Sequence, residues 1–369
     1  MHNPNTEEVR AKHSRVLAFL DAYGYDAMIL ERQDDFAWYT GGSSNQVVIG
    51  SDMGFGLLLI TPKKTFLVAQ VMDGPRLMQE ELSGLTLEPV FTRWYEKGRE
   101  EKAAELTKGM RVIADVPMPG ADYSLGAIQA LHYPLTDSEI CKYRRLGALT
   151  EEVLTKVATE IKPGMSELDV EAMLLYEYAR REVATAVLLI GADDRIVQFR
   201  HPTPSKRKIA RFVLIHPAVR KEGLHANVTR MVHFGDSIPE DTLQRYEAAC
   251  KVEAAAVCQC LPGTRFCDIF EEQKRVYQSC GYPEEWRNHF QGGITGYLLI
   301  DPARCLSQEA KVGLNQAFDW FITITGVKVE ELSITAEHGP EVISASGLWP
   351  AKEYEANGRK IRLPQILVR

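Results

Sequence analysis

The stretch FVLIHPAVRKEGLHANVTRMVHFG, residues 212–235, determines both the fold and the chemistry that we expect of this chain. Its two apolar runs, joined by a basic turn, are typical of paired β-strands. Polar side chains stand among the apolar ones: His216, His225, Asn227 and His233. The stretch has no carboxylate after Glu222. Imidazoles and an amide in such positions leave three classes open: a metalloenzyme, an enzyme without metal, or a protein without catalysis.

The second run, residues 224–234, predicts a strand with one polar and one apolar face. Side chains on a strand alternate between the two faces of a sheet. The residues predicted to share the polar face are His225, Asn227, Thr229, Met231 and His233. His216 ends the preceding strand, so we expect it to approach Asn227 across the hairpin.

Length and composition indicate an ordinary globular protein. The chain has 369 residues, 45% apolar and 25% charged, which favours two domains. A net charge of -7 gives no electrostatic reason to expect nucleic-acid or membrane binding. The sequence has no apolar run of the roughly 20 residues that cross a bilayer, and its N-terminus lacks the apolar core of a signal peptide. Seven cysteines without a C-x-x-C pair favour thiols in a reducing cytoplasm.

Residues 1–134 read as a small α/β domain. The pattern predicts a helix over residues 7–23 and strands at DAMILE and GFGLLLITPKKTFLVAQ, the second interrupted by a hairpin turn at TPKK. DDFAWYTGG is expected to separate these strands and to end in a glycine turn. Further helices are predicted over residues 75–82 and 98–108, and a short strand at MRVIADV.

Residues 135–369 read as helices packed on a mixed, curved sheet. Capping signals at Thr136 with Glu139, and at Ser166 with Asp169, open two helices. PGMSELDV, from Pro163, is echoed by PGTRFCDI, from Pro262, and each lies between two helical patterns. The echo indicates either two similar halves or a chance match of a common motif.

Four segments resemble the pita-bread hydrolases, a family that includes methionine aminopeptidase, aminopeptidase P, prolidase and creatinase. They are EICKYRRLGALTEEVLTKVATEIKPGMSELDV, HANVTRMVHFG, NHFQGG and GVKVEELSIT. DAMILERQDDFAWYTGG resembles the start of the smaller N-terminal domain of the aminopeptidase P, prolidase and creatinase branch. The resemblance implies a C-terminal pita-bread domain with pseudo-twofold halves, residues 135–369, after an N-terminal creatinase-like α/β domain, residues 1–134.

The resemblance also implies where metal ligands would stand. Metal-dependent members use Asp, Asp, His, Glu and Glu in that order, with the two aspartates eleven residues apart. The matching positions here are His216, Asn227, His289, Phe321 and Glu330. A register shift of two would replace Phe321 with Asp319, on the same strand face. Glu331 is an alternative to Glu330 as the inward residue.

This ligand set predicts no dinuclear metal centre. Two divalent ions need several anionic oxygen ligands, and one carboxylate remains at the five positions. One zinc or iron ion on His216, His289 and Glu330 stays an alternative. The favoured interpretation is metal-free, as in creatinase, with histidines doing acid–base chemistry.

The predicted cleft includes residues beyond those five positions. His201 occupies the place of a pocket histidine in the family, and the neighbouring Arg200 is a candidate for holding a substrate carboxylate. We expect His289 and Gln291 to form the opposite wall and Glu330 to fix an imidazole tautomer. His225 and His233 are candidate substrate contacts, although a structural role is favoured for both. Arg230 is expected to form a structural ion pair.

Three functions remain open at this point. The first is a metal-free hydrolase or lyase for a small nitrogen-containing substrate, with His216, His289, Glu330, Asn227 and His201 as catalytic candidates. The second is a mononuclear metal-dependent Xaa-Pro peptidase-like hydrolase, and the third a non-catalytic peptide-binding protein. Each predicts a small molecule or short peptide as partner, and the resemblance implies a homodimer.

Overall fold

A computed structural model describes residues 5–301 and 307–369. The chain divides into two compact units. The first runs to Glu139 and includes Glu222–Leu224, and the second comprises Ile140–Lys221 and His225–Arg369. The sequence placed the boundary between residues 134 and 135. Cys305 lies outside the described residues.

The first unit is an α/β domain around one mixed sheet. Its helices are α1 (Thr6–Tyr23), α2 (Gln33–Thr40), α3 (Gly74–Arg76), which continues as a π-helix over Leu77–Glu81, α4 (Arg99–Leu106) and α5 (Leu125–Gln129), followed by a 3-10 turn at Ala130–His132. Its strands are β1 (Ala27–Arg32), β2 (Met53–Ile60), β3 (Thr65–Gln70), β4 (Glu88–Thr92), β5 (Val112–Ala114) and β6 (Ala121–Tyr123). They form a sheet in the order β4-β3-β2-β1-β5-β6.

Local signals explain most of this unit. Asn5 caps α1 through its side chain, and Gly24 ends it in the left-handed conformation, at φ 68°. The segment DDFAWYTGG differs from the expectation: most of it forms α2, which is buried almost throughout. Its apolar residues lack helical spacing because nearly every side of the helix is covered. The sequence also missed β4 and β6, which are short edge strands.

The second unit holds the remaining helices and strands. Its helices are α6 (Asp137–Glu160), α7 (Glu167–Ala179), α8 (Asp194–Gln198), α9 (Glu240–Gln259) and α10 (Phe266–Ser279), with a 3-10 turn at Glu285–Asn288. Its larger sheets contain β7 (Ala184–Ala192), β8 (Phe212–Lys221), β9 (Leu224–Asn227), β10 (Arg230–His233), β11 (Gly292–Thr295), β12 (Ala317–Ile324), β13 (Val327–Ile334), β14 (Glu341–Val342) and β17 (Leu367–Val368). A separate hairpin pairs β15 (Ala351–Ala356) with β16 (Arg359–Pro364).

Two helix pairs, each followed by antiparallel strands, give this unit its repeated plan. The first half is α6, α7, β7 and β8, and the second is α9, α10, β11 and β12. The predicted capping box of α7 is present, since Ser166 accepts from the backbone N–H of Asp169. The α9 helix packs on β12 and β13 through small buried residues, which allow a close approach. The mixed α/β class predicted from the sequence is confirmed.

The sheet around the opening stretch departs from the predicted continuous strand. β9 ends at Asn227, and β10 begins at Arg230. Thr229 instead bridges to Glu330 on β13, which joins the two larger sheets. The prediction of one alternating polar face over residues 225–233 was therefore wrong, because the strand is interrupted between Asn227 and Arg230 although both parts pair with β8. Among the described residues no helix is both long and apolar enough to cross a bilayer.

Candidate active site

A cavity of about 280 Å³ opens within the second unit, where the two larger sheets meet. Its polar lining residues are His201, His216, Asn227, His289, Asp319, Lys328 and Glu330. Its apolar lining residues are Val187, Leu189, Ala218, Phe290, Leu299, Ile300 and Phe321. The structure thus brings together the five residues that the sequence singled out as catalytic candidates.

His216 and Glu330 form a buried dyad at the base of the cavity. His216 Nδ1 lies 2.6 Å from Glu330 Oε2. Because a carboxylate only accepts, Nδ1 carries the proton, and Nε2 of the neutral ring is left with a lone pair. Burial lowers the pKa of His216, which keeps the ring neutral near pH 7. Among the described residues Nε2 has no hydrogen-bond partner, so the dyad presents an oriented base.

Lys328 places a cation beside the same carboxylate. Its Nζ lies 3.0 Å from Glu330 Oε2 and 3.3 Å from His216 Nδ1. Thr229 Oγ1 also donates to Glu330 Oε2. Burial favours the neutral acid, but the contacts with His216 and Lys328 outweigh it and lower the pKa of Glu330. Glu330 is therefore ionised, with its charge balanced inside the protein.

Asp319 and Asn227 form a second polar pair in the cavity. Asn227 Nδ2 donates to Asp319 Oδ2 at 2.6 Å and also to the Leu299 carbonyl at 3.2 Å. Burial, together with the nearby Glu330 charge, raises the pKa of Asp319 well above its ordinary value. Among the described residues, Asn227 Oδ1 and Asp319 Oδ1 have no hydrogen-bond partner. Such orphaned buried atoms are typical of a site that binds a polar ligand.

His201 and His289 meet edge to face at the cavity wall. Their Nε2 atoms are 2.9 Å apart, and His289 Nδ1 lies 2.5 Å from the Phe290 carbonyl. A carbonyl only accepts, so His289 carries its proton on Nδ1, and His201 Nε2 donates to His289 Nε2. Burial lowers the pKa of His289 to about 4 and also lowers that of His201. Both rings are neutral near pH 7.

The structure places the four predicted substrate contacts off the cavity lining. Arg200 is paired with Glu285 at 2.6 Å and with the Thr325 hydroxyl at 2.8 Å. With Nη2 so engaged, Arg200 is held at Glu285 and does not line the cavity. Gln291 is buried and hydrogen-bonded to Tyr277 and to the His289 carbonyl. It supports the chain that carries His289 rather than lining the cavity.

His225 and His233 are likewise tied to main-chain carbonyls. His225 Nδ1 lies 3.2 Å from the Gly296 carbonyl, and His233 Nε2 lies 2.9 Å from that of Ser237. Neither ring lines the cavity. The break after Asn227 separates His233 from Asn227, whereas His225 lies on the same strand as Asn227 and is held at the Gly296 carbonyl.

Sequence reasoning left two alternatives about β12 and β13, and the structure decides the one on β13. Phe321 stands opposite Glu330 in the strand register, and Asp319 shares its face, so both line the cavity. Glu331 points away and pairs with the buried Arg230 at 2.5 Å. Arg230 also pairs with Glu151 at 3.2 Å, which makes it the predicted structural ion pair.

Sequence reasoning missed Lys328 because it stands at no ligand position of the family. A signal was present, however. Lys328 and Glu330 are two residues apart on one strand, so they share a face. Two opposite charges on a strand that is buried throughout indicate a functional site or an internal ion pair.

These residues do not fit a metal ion. His216 and Glu330 contact each other directly, and His289 is hydrogen-bonded to His201, so the three proposed ligands do not converge on a common point. The Lys328 ammonium adds a positive charge where a cation would need negative oxygens. Among residues 5–301 and 307–369, no group of three or more His, Cys, Asp or Glu residues is arranged to hold a metal.

Comparison with known proteins identifies the domain around this cavity. Residues 141–316 match the model of metallopeptidase family M24. The matched segment includes His216, Asn227 and His289 and ends before Asp319. Methionine aminopeptidase 1 of Saccharomyces cerevisiae is 19% identical over 295 residues, which cover 69% of this chain and 76% of that protein.

Solved structures show that the described residues have the two-domain fold of the pita-bread peptidases. An Xaa-Pro dipeptidase from Bacillus anthracis superimposes with a TM-score of 0.76 at 16% identity, covering 98% of this chain and 100% of the other. The N-terminal domain of the FACT complex subunit SPT16 from chickpea, Cicer arietinum, gives 0.70 at 11% identity, covering 94% and 98%. The predicted fold class, a pita-bread domain after a smaller N-terminal α/β domain, is confirmed.

Proposed function

We propose that the M24 domain of this chain is a metal-independent hydrolase that cleaves a C–N bond in a small nitrogen-containing substrate. One observation carries the proposal: Lys328 Nζ lies 3.0 Å from Glu330 inside the cavity. The lysine ammonium supplies the positive charge that balances Glu330, which makes a metal ion unnecessary for the stability of this carboxylate.

The proposed reaction uses His216 as a proton carrier. Its Nε2 lone pair takes a proton from water as the water oxygen attacks the carbon of the C–N bond. Glu330, accepting from Nδ1, stabilises the resulting imidazolium. The imidazolium then gives the proton to the leaving nitrogen as the C–N bond breaks. The net change is the addition of one water molecule, so atoms and electrons balance.

Other cavity residues have supporting parts in this scheme. Lys328, the only lysine or arginine among the described residues of the lining, is placed to stabilise negative charge that develops on the substrate. The His201–His289 pair forms the facing wall, and its two hydrogen-bonded imidazoles provide a second donor and acceptor of protons. In a two-metal site the nucleophile is a metal-bound hydroxide. This cavity would lack that nucleophile, so we expect little proline-peptidase activity.

A substrate screen at neutral pH with a chelator present tests the proposal. On any substrate found, His216→Gln should lower kcat by about 10²- to 10⁴-fold, the usual contribution of a positioned base. His233→Gln is the matched control, since that ring lies off the cavity, and it should retain activity. Turnover that requires added metal, or a fully active His216→Gln variant, would contradict the proposal.

A non-catalytic role is the second candidate. The same fold also occurs in a domain of a FACT complex subunit, and a fold does not by itself imply a function. This candidate predicts peptide binding in the cavity without turnover. Turnover that depends on cavity residues excludes it.

A further inference from the structure

We propose that this cavity takes an uncharged carboxamide group, and that its substrates lack a free carboxylate or ammonium near the bond that is cleaved. The inference rests on the proposed function, because it names the substrate class of the same site. It follows from how the charges of the cavity and its surroundings are already paired.

No unpaired cation among the described residues of the lining is available for a substrate carboxylate. Lys328, the only lining cation, is 96% buried and already contacts Glu330. Arg200, which the sequence suggested for this purpose, is paired with Glu285 and Thr325. A carboxylate entering the cavity would lose its hydration without gaining an open partner, which is unfavourable.

A cationic substrate meets a similar obstacle. The Lys328 ammonium stands in the same small cavity and would repel it. Glu330 Oε2 already has His216, Thr229 and Lys328 as partners. A second ammonium would therefore have to displace one of these donors.

The remaining polar atoms suit a neutral amide. Asn227 uses Nδ2 for Asp319 and the Leu299 carbonyl, which leaves Oδ1 without a described partner. Asn227 is 97% buried, so this oxygen is costly to leave unsatisfied. A ligand N–H would satisfy it and would leave His216 Nε2 available to the attacking water. The apolar walls around Phe290 and Phe321 favour an aliphatic or aromatic group next to that amide.

Three compounds with one carbon skeleton test this inference directly. Isovaleramide is neutral, isovalerate is an anion and isoamylamine is a cation at pH 7. Binding to the full chain would be followed by NMR titration of cavity signals. We expect isovaleramide to bind about tenfold or more tightly than either ion. An ion that binds as well as the amide, or an amide that shows no cavity shift up to its solubility limit, overturns the inference.

A charge-changing variant provides a second measurement. Asn227→Asp adds one negative charge at the orphaned atom and should move the preference toward isoamylamine by about tenfold. Gln198→Glu makes the same chemical change on the exposed side of α8 and should leave the preference unaltered. If Asn227→Asp does not fold, the comparison of the three compounds on the unaltered chain still tests the inference.

These measurements distinguish a failure of the proposed substrate class from a failure of the proposed hydrolysis. Selective amide binding without cleavage of any amide supports the substrate class and counts against hydrolysis. Cleavage of a carboxylate-bearing compound that depends on His216 supports hydrolysis and overturns the substrate class.

Discussion

At the scale of single residues, Lys328 has the largest electrostatic consequence. Lys328→Met leaves Glu330 buried with His216 and Thr229 as its remaining partners. Removing one member of a buried pair typically costs about 3–5 kcal/mol, because the other charge stays uncompensated. Urea denaturation should show a loss of this size. Lys352→Met, which breaks the exposed pair with Glu247, should cost less than about 1 kcal/mol.

A double-mutant cycle distinguishes the pair from simple loss of packing. Lys328→Met combined with Glu330→Gln removes both charges, so the combined loss should be smaller than the sum of the two single losses. Strict additivity would mean that the two side chains do not interact, and it would remove the main support for a lysine in place of a metal.

The pH response of His289 is a second prediction at the residue scale. Burial lowers its pKa to about 4. The unfolded value is near 6.5, so the unfolded state binds the proton first as the pH falls. This residue therefore stabilises the fold fully above pH 6.5, and that contribution is lost as the pH falls toward 4. Imidazole NMR should show a neutral ring protonated on Nδ1 at pH 6, and a midpoint near 6.5 would contradict this.

Sequence could identify His216, Asn227, His289 and Glu330 because they fall at fixed spacings of a family pattern. It could not identify Lys328, since its role arises from a contact between side chains rather than from a motif. It also could not foresee that Arg200 is occupied, because Glu285 lies 85 residues later and only the fold brings them together.

At the scale of elements, a polar clamp fixes the segments that carry the cavity residues. Glu285, in the turn before His289, contacts Arg200, next to His201. It also accepts from the hydroxyl and backbone N–H of Thr325, in the turn between β12 and β13. These contacts connect the chain segments that carry both wall histidines with the hairpin that carries Lys328 and Glu330.

The clamp predicts that distant substitutions alter the histidine pair. Arg200→Leu should loosen the contact between His201 and His289, admit water, and raise the pKa of His289 from about 4 toward 6.5. Arg181→Leu breaks a comparable half-buried pair with Glu177 on α7 and should leave that pKa unchanged. NMR titration of the imidazole signals measures both, and equal shifts in the two variants would refute a specific clamp.

The elements also show where pattern reading fails. The predicted strand over residues 225–233 satisfies alternation, yet it is interrupted after Asn227, and Thr229 bridges Glu330 in the other sheet. Alternation describes a continuous strand, and it carries no information about where a strand is interrupted. The helix α2 was missed for a related reason, since burial on most sides removes the periodic signal.

At the scale of the whole molecule, stability should not depend on divalent ions. A ligand that binds only the folded state raises the melting temperature in proportion to its binding free energy. Because the cavity residues pair with one another, we expect the same melting temperature with a chelator and with added zinc, manganese or iron. A rise with any of these ions, abolished by Glu330→Gln, would show that the second unit retains a metal site.

Restoring the family's ligand types should create the missing site. In a variant with His216→Asp, Asn227→Asp, Phe321→Glu and Lys328→Ser, four carboxylates and His289 would occupy the five family positions. Anionic oxygens are the ligands that hard divalent ions require, so this variant should bind manganese or zinc and be stabilised by it. Without metal, its clustered carboxylates should make it less stable than the unaltered chain. The control is a variant with the same substitutions but with Lys328 retained. If the lysine ammonium repels the ion, this control should bind metal more weakly. Equal binding would show that Lys328 has no part in excluding the ion.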